Sequence, residues 1–142
     1  ESLGKKRKGI LPIVSPAPKD HHSLMQLYLD GPKDKLFYIF SMKTENRLKI
    51  NPNIFGKMFQ YVEKKKFSDI KEAQKNALIK VLKNKNIPYQ EFVVNRQNEE
   101  TLGELISYFI LETILLGKLL NTNPFDQPGV EQVKILTRRY LS

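Results

Sequence analysis

The chain contains no cysteine, and its two histidines are adjacent to each other. Without cysteine, neither a disulfide framework nor a thiolate metal site can form, and a reducing compartment is the default environment. The sequence also begins without a methionine and shows no leader of the kind that directs secretion, in which a charged start precedes an apolar run of about 7–15 residues. These absences favour a cytoplasmic protein.

Long uncharged apolar runs are absent as well. The most apolar stretch, from Leu105 to Leu120, is interrupted by Glu112 and Lys118, so its uncharged runs are too short to span a bilayer. We therefore expect no membrane insertion and interpret this stretch as a buried helix. With 142 residues, of which 40% are hydrophobic, the chain is long enough to form one domain with a core.

The net charge of the chain is strongly positive, +9 at pH 7. Basic clusters at residues 5–8 and 64–66 are able to attract phosphate backbones, so a nucleic-acid-binding module is one alternative. The basic residues are mostly lysine, however, and are scattered over the expected helix faces. A surface that binds nucleic acid specifically is typically rich in arginine, with aromatic residues between the arginines that stack on bases. We therefore expect no nucleic-acid partner.

The order of apolar runs predicts strands that alternate with helices, and hence an α/β fold with a largely parallel sheet flanked by helices. No composition break is visible, so we interpret residues 1–142 as a single unit. Apolar runs of strand length lie at 10–14, 36–40 and 89–94. Helices are predicted from a cap at Asp20 through His22, from Asn53, from a capping pair Asp69 and Glu72, from Thr101 with Glu104, and from Asp126 or Gln127.

The chemically most informative stretch runs from Phe125 to Lys134 and reads F-D-Q-P-G-V-E-Q-V-K. Pro128 suits a first helical turn, where its missing N–H would be unpaired anyway. Gln127, Glu131 and Lys134 then share one helix face, because seven residues complete about two turns. Lys134 leans back toward the loop, so its ammonium and an amide converge beside free backbone N–H groups, an arrangement suited to a sugar or an anion. The same spacing also fits an ordinary surface ion pair between Glu131 and Lys134.

Further motifs lie near the start of the chain. Residues 1–5 read E-S-L-G-K, and residues 22–27 read H-S-L-M-Q-L. Taken alone, the first would be a solvated terminus and the second a histidine pair at a helix start. No third ligand is spaced to make a metal site from His21 and His22, so we expect no bound metal.

Together, the three motifs resemble those of the glucose-6-phosphate isomerase family and follow the family's order. The last one agrees at seven of ten positions with the common form F-D-Q-W-G-V-E-L-G-K. Residues 1–5 resemble the E-S-x-G-K segment that carries the family's catalytic glutamate. Residues 22–27 resemble its Q-H-x-x-x-Q-L segment, in which His21 here replaces the usual glutamine. The Gln26-Leu27 that follows favours His22 as the catalytic histidine, with His21 as the alternative.

The resemblance implies that the chain is the C-terminal portion of such an isomerase, with a partly complete sugar-isomerase-type (SIS) sandwich. The implied reaction interconverts glucose 6-phosphate and fructose 6-phosphate without a cofactor. By resemblance Glu1 is the base that moves a proton between adjacent carbons, His22 and Lys134 open the sugar ring, and Gln127 binds the substrate. The resemblance also implies a homodimer in which His22 acts in the neighbouring subunit's site.

The resemblance also limits what this chain is expected to do by itself. The serine- and threonine-rich loops that hold the sugar phosphate, and the arginine that stabilises the enediolate, would precede Glu1. We therefore expect the chain alone to be inactive. A non-catalytic sugar-phosphate-binding domain is the second alternative, although such a domain would not need Glu1 and His22 together.

Overall fold

The structure is a computed structural model that describes residues 2–43, 48–50 and 57–142. The chain divides into two compact units, the first formed by Glu1–Val14 together with Asn98–Ser142 and the second by Ser15–Gln97. The single-unit interpretation of residues 1–142 stays a prediction. No sheet other than one of two strands is present in the described parts of the chain.

The second unit is built on two parallel strands, β1 at Phe37–Met42 and β2 at Tyr89–Val94. Phe37 pairs with Tyr89, and the register continues without a shift to Met42 and Val94. Parallel neighbours need a long crossover, and the segment between these strands contains a helix that supplies it. The α/β class and both of these predicted strands are confirmed.

The helices carry labels in chain order. Those of the second unit are α1 (Asp20–Ser23), α2 (Met25–Asp30) and α3 (Phe67–Asn84), with a 3-10 helix at Lys57–Val62. Those of the first unit are α4 (Glu99–Leu119) and α5 (Pro128–Leu141). The helix predicted from Asn53 begins outside the described residues.

Helix α3 begins earlier than predicted, with Lys66 as its cap, so Asp69 lies in the first turn and the predicted capping pair of Asp69 and Glu72 was wrong. The Asp69 carboxylate accepts a hydrogen bond from the backbone N–H of Lys66 at 3.3 Å, which satisfies a donor at the helix start. Glu72 instead lies 3.1 Å from the ammonium of Lys75. Lys75 also lies 2.9 Å from Glu91 on β2, and its hydrogen bond holds the pKa of Glu91 below its ordinary value. Helix α3 is thereby tied to the sheet.

Helix α4 begins earlier than predicted. The side-chain oxygen of Asn98 accepts a hydrogen bond from the backbone N–H of Thr101 at 3.0 Å, so Asn98 is the cap and Thr101 lies in the first turn. The prediction that Thr101 and Glu104 start the helix was wrong, because asparagine in an extended conformation is among the best capping residues.

Residues 10–14 do not form the predicted strand. This segment has no regular secondary structure, and its apolar side chains Ile10, Leu11, Ile13 and Val14 are 65% to 92% exposed. Pro12 removes a backbone donor from the middle of the run. No described strand pairs with the segment, so its apolar character alone was insufficient to form a strand.

Helix α4 is exposed rather than buried, which contradicts the interpretation of its apolar stretch. Ile106 and Ile110 lie roughly 140° around the helix axis from Leu111 and Leu115, so apolar side chains face solvent on more than one side. A helix that is apolar on several sides is typical of the core of a larger protein. Seven large apolar side chains of α4 are 40% to 81% exposed, namely Leu102, Ile106, Tyr108, Ile110, Leu111, Leu115 and Leu119.

The buried apolar core of the described residues is small. Leu82 on α3 is fully buried, and Leu3 in the first unit is nearly so. Large apolar side chains elsewhere in the described residues, such as Ile10, Leu115 and Tyr140, are exposed.

Replacing Leu82 with alanine should strongly destabilise the second unit. The change removes a fully buried side chain and leaves a cavity, so we expect the free energy of unfolding to fall by about 2–5 kcal/mol. Urea unfolding followed by circular dichroism measures this loss. The matched control is Leu36→Ala, at a half-exposed leucine of the same unit. Equal destabilisation by the two substitutions would contradict the assignment of Leu82 as the core of this unit.

Candidate active site

The predicted start of the last helix is confirmed. Gln127 is the cap of α5, and Pro128 occupies its first position, where a missing N–H costs nothing. The backbone carbonyl of Gln127 accepts hydrogen bonds from Val130 at 3.1 Å and from Glu131 at 3.3 Å. The backbone around the proposed substrate-binding glutamine is therefore fixed by the helix that follows it.

Lys134 lies about two helical turns after Gln127 in α5. It pairs with Glu131, which lies about one turn before it. Its ammonium is 2.6 Å from the Glu131 carboxylate, and both side chains are exposed. An exposed pair of this spacing contributes little to stability. The surface ion pair that the spacing allowed is therefore present, and an exposed ammonium of this kind is also able to reach a ligand.

Lys5 joins the E-S-L-G-K motif to the loop that precedes Gln127. Its ammonium donates hydrogen bonds to the backbone carbonyls of Asn123 and Asp126 and to the Asp126 carboxylate. The Lys5 side chain is only 15% exposed. The hydrogen bond from Lys5 lowers the pKa of Asp126 below its ordinary value. Residues from the two ends of the sequence are thus brought together within the first unit.

The segment around Lys5 is compact, and we call residues 2–9 the N-terminal clasp. The backbone N–H of Lys5 donates to the carbonyl of Leu3, and that of Lys8 donates to the carbonyl of Lys5, both at 2.8 Å. The ammonium of Lys8 reaches the Leu120 carbonyl, which it contacts at 2.9 Å. Gly9 has a φ of 111°, and a Cβ at this position would come within 2.9 Å of the clasp backbone. Only glycine suits both the conformation and the space.

Sequence reasoning missed this role of the lysines. The basic residues at 5–8 were interpreted as a charge cluster, whereas Lys5 and Lys8 hold the connection between α4 and α5. The available signal for Lys5 was the motif itself, because Lys5 is the fifth residue of E-S-L-G-K.

The histidine pair lies in α1, in the second unit. His22 is exposed, and His21 is half-buried. The Nε2 atom of His21 is buried and makes no hydrogen bond among the described residues. Gln26 of the same motif donates to the Asp30 carboxylate at 3.0 Å. His22 is thus the member of the pair with the accessible ring.

Three further predictions concern Glu1, metal binding and membrane insertion. Glu1 lies outside the described residues, so its catalytic role stays a prediction. Within the described ranges, no three metal-ligating side chains cluster closely enough to hold an ion. In that same part of the chain, no helix has the length and apolar content that crossing a bilayer requires.

Comparison with known proteins connects this site to a family. The chain is 33% identical, over 99% of its length, to the glucose-6-phosphate isomerase of Methanocaldococcus jannaschii. It is 32% identical over its full length to that of Campylobacter jejuni. The resemblance to the glucose-6-phosphate isomerase family is confirmed. The chain spans only 35% and 36% of these two isomerases, as a C-terminal portion of the enzyme would.

Other comparisons are consistent with this result. The glucose-6-phosphate isomerase of Thermus thermophilus is 30% identical over the whole chain, which spans 36% of it. The crystal structure of a hypothetical protein from Thermus thermophilus superposes with a TM-score of 0.78 at 28% identity. That superposition covers 89% of this chain and 31% of the other one. No protein-family model matches the chain.

Proposed function

We propose that the chain works as the C-terminal third of a glucose-6-phosphate isomerase, which interconverts glucose 6-phosphate and fructose 6-phosphate in the cytoplasm. The observation that carries the proposal is similarity to isomerases along the whole chain, in a sequence that holds all three motifs in order. In this proposal the two strands and their helices belong to a sugar-isomerase-type sandwich, and the enzyme is a homodimer.

The proposed chemistry moves a proton between two neighbouring carbons of the open sugar. Glu1 removes the proton from C2 of the aldose, and the electron pair of that C–H bond forms the C1–C2 double bond of an enediolate with its charge on O1. The hydroxyl proton of O2 passes to O1, and the proton held by Glu1 returns to C1 as C2 becomes the ketone carbon. The ordinary pKa of a glutamate carboxyl, about 4.3, must be raised for this transfer to be efficient.

Ring opening precedes the isomerisation. The proton of the ring hydroxyl must move to the ring oxygen as the bond between C1 and that oxygen breaks. We assign this transfer to His22 and Lys134 and substrate binding to Gln127. The accessible ring of His22 and the exposed ammonium of Lys134 support these assignments. His22 is proposed to act in the site of the neighbouring subunit.

Exposed apolar surface supports a role within a larger protein. Helix α4 is apolar on several sides and exposed, and such helices are found in protein cores. Helix α5 also exposes large apolar side chains, namely Val130, Val133, Ile135, Leu136, Tyr140 and Leu141. In the proposed enzyme, the other two thirds of the isomerase cover these faces and supply the groups that hold the phosphate and stabilise the enediolate.

A hybrid enzyme tests the proposal. In the hybrid isomerase, this chain replaces the matching third of the Methanocaldococcus jannaschii relative, and a second hybrid uses the Campylobacter jejuni relative. We expect at least one folded hybrid to convert fructose 6-phosphate in an assay coupled to glucose-6-phosphate dehydrogenase. The isolated 142-residue chain should show no turnover, because it lacks groups that stabilise the transition state.

Three outcomes separate the alternatives. Folded hybrids that bind glucose 6-phosphate without turnover would favour a non-catalytic sugar-phosphate-binding domain. Turnover by the isolated chain would show that the remaining two thirds are not needed and would overturn the division of the site. Salt-sensitive binding of the chain to generic DNA or RNA, without sugar-phosphate binding, would favour a nucleic-acid-binding module.

A further inference from the structure

The Lys5 ammonium uses all of its hydrogen-bonding capacity on the loop before α5. A lysine ammonium has three N–H donors, and Lys5 contacts three oxygens, two of them backbone carbonyls. Its long side chain is largely buried, although lysine is rarely buried unless it is paired. No donor of Lys5 is left for a substrate, so Lys5 acts through the loop that it holds.

The contacts of Lys5 connect two segments whose relative position must be fixed for the proposed mechanism. On one side, the lysine belongs to the clasp, whose first residue follows Glu1 directly in the sequence. On the other side, its acceptors Asn123 and Asp126 lie in the loop before Gln127, and Asp126 directly precedes that residue. Lys8 adds a second tie at Leu120, where α4 ends. The clasp therefore holds both ends of the connection between α4 and α5.

We propose that Lys5 is a positioning residue that keeps the Glu1 segment in register with the loop that carries Gln127 and leads to Lys134. The inference rests on the proposed isomerase function. Proton transfer needs reacting groups within about 3–3.5 Å and correctly oriented, and small misplacements cost large factors in rate. A buried tie between the two segments supplies this register without taking part in the chemistry.

The tie itself is tested without any activity measurement. Amide hydrogen exchange is measured by NMR in the 142-residue chain and in its Lys5→Met variant. We expect exchange at Phe125 and Val130 to become at least about tenfold faster in the variant, since opening of the loop exposes these amides. The matched control is Lys6→Met, at an exposed lysine of the same clasp, which should change exchange by less than about twofold. Equal effects of the two variants would overturn the tie.

The functional part is tested in the hybrid isomerase by steady-state kinetics well below the unfolding temperature. Lys5→Met should lower kcat by about tenfold or more, because misplaced proton-transfer groups act on the transition state, and it should also raise KM, because the loop that Lys5 holds carries the proposed substrate-binding Gln127. Asp126→Asn should have an effect in the same direction. The double variant should be no worse than Lys5→Met alone, because coupled residues are not additive. A kcat of Lys5→Met within about twofold of the parent, together with a lower unfolding temperature, would reduce Lys5 to a stabilising residue.

The exchange experiment and the kinetic experiment together distinguish failure of this inference from failure of the proposed function. If the parent hybrids fold but have no turnover, the isomerase function fails, and the exchange experiment alone decides whether Lys5 holds the loop. If the parent hybrid is active and Lys5→Met leaves kcat unchanged, the isomerase function stands and the positioning role is overturned. If Lys5→Met does not fold, Asp126→Asn carries both measurements, because it replaces the charged acceptor of Lys5 with a neutral amide oxygen, a weaker acceptor, while leaving the lysine in place.

Discussion

Hybrid isomerase subunits that carry Glu1→Gln should lose most of their turnover, and mixing them with His22→Ala subunits should restore it. Each substitution removes a proposed proton-transfer group, and such groups contribute about 10²- to 10⁴-fold to the rate. If His22 acts in the neighbouring site, one site of each mixed dimer contains both intact residues. Activity per mixed dimer should therefore approach half that of the parent dimer.

The mixing experiment needs proof of the heterodimer and a matched control. Differently tagged subunits are co-produced and purified through both tags, and turnover is measured in the coupled assay. Glu100→Gln, at an exposed carboxylate of α4, should leave turnover within about twofold of the parent. A purified heterodimer without recovered activity would argue against a shared site, and full activity of the Glu1→Gln homodimer would remove Glu1 as the base.

Lys134→Met should slow the turnover of ring-closed glucose 6-phosphate by about tenfold or more. Methionine keeps an apolar stem of similar length but removes the ammonium that is proposed to assist ring opening. It also removes the ion pair with Glu131, which is exposed and so contributes little to stability. The fall should therefore appear in kcat of the hybrid isomerase and not in its unfolding temperature.

Lys118→Met is the matched control for this substitution. Lys118 is an exposed lysine in the last turn of α4, and its loss removes the same charge from the same unit. We expect its turnover to stay within about twofold of the parent. Unchanged turnover of Lys134→Met would remove Lys134 from the ring-opening step, and equal losses in the two variants would indicate a general effect of net charge.

The features that the sequence predicted correctly depend on local patterns. Strand β2 at Tyr89–Val94 was predicted with its observed limits, because a short aromatic and β-branched run is bounded by turn residues. The start of α5 was predicted near Asp126 or Gln127, and the helix begins at Pro128, a residue that suits a first helical turn. The resemblance to the isomerase family was predicted from three motifs in the sequence itself, and the comparisons confirm that resemblance.

Other features were decided by contacts that local patterns do not contain. Residues 10–14 and the apolar stretch of α4 have the composition of buried elements, yet both are exposed. Burial depends on a partner surface, and the partner that we propose is the rest of an isomerase. The clasp contacts of Lys5 join residues more than a hundred positions apart, and in the sequence that lysine is one of a cluster of similar charges. Sequence therefore determined most of the elements and the resemblance to a family, whereas the tertiary structure decided which apolar faces stay open and which lysine holds the loop before α5, because both depend on long-range packing and hydrogen bonding.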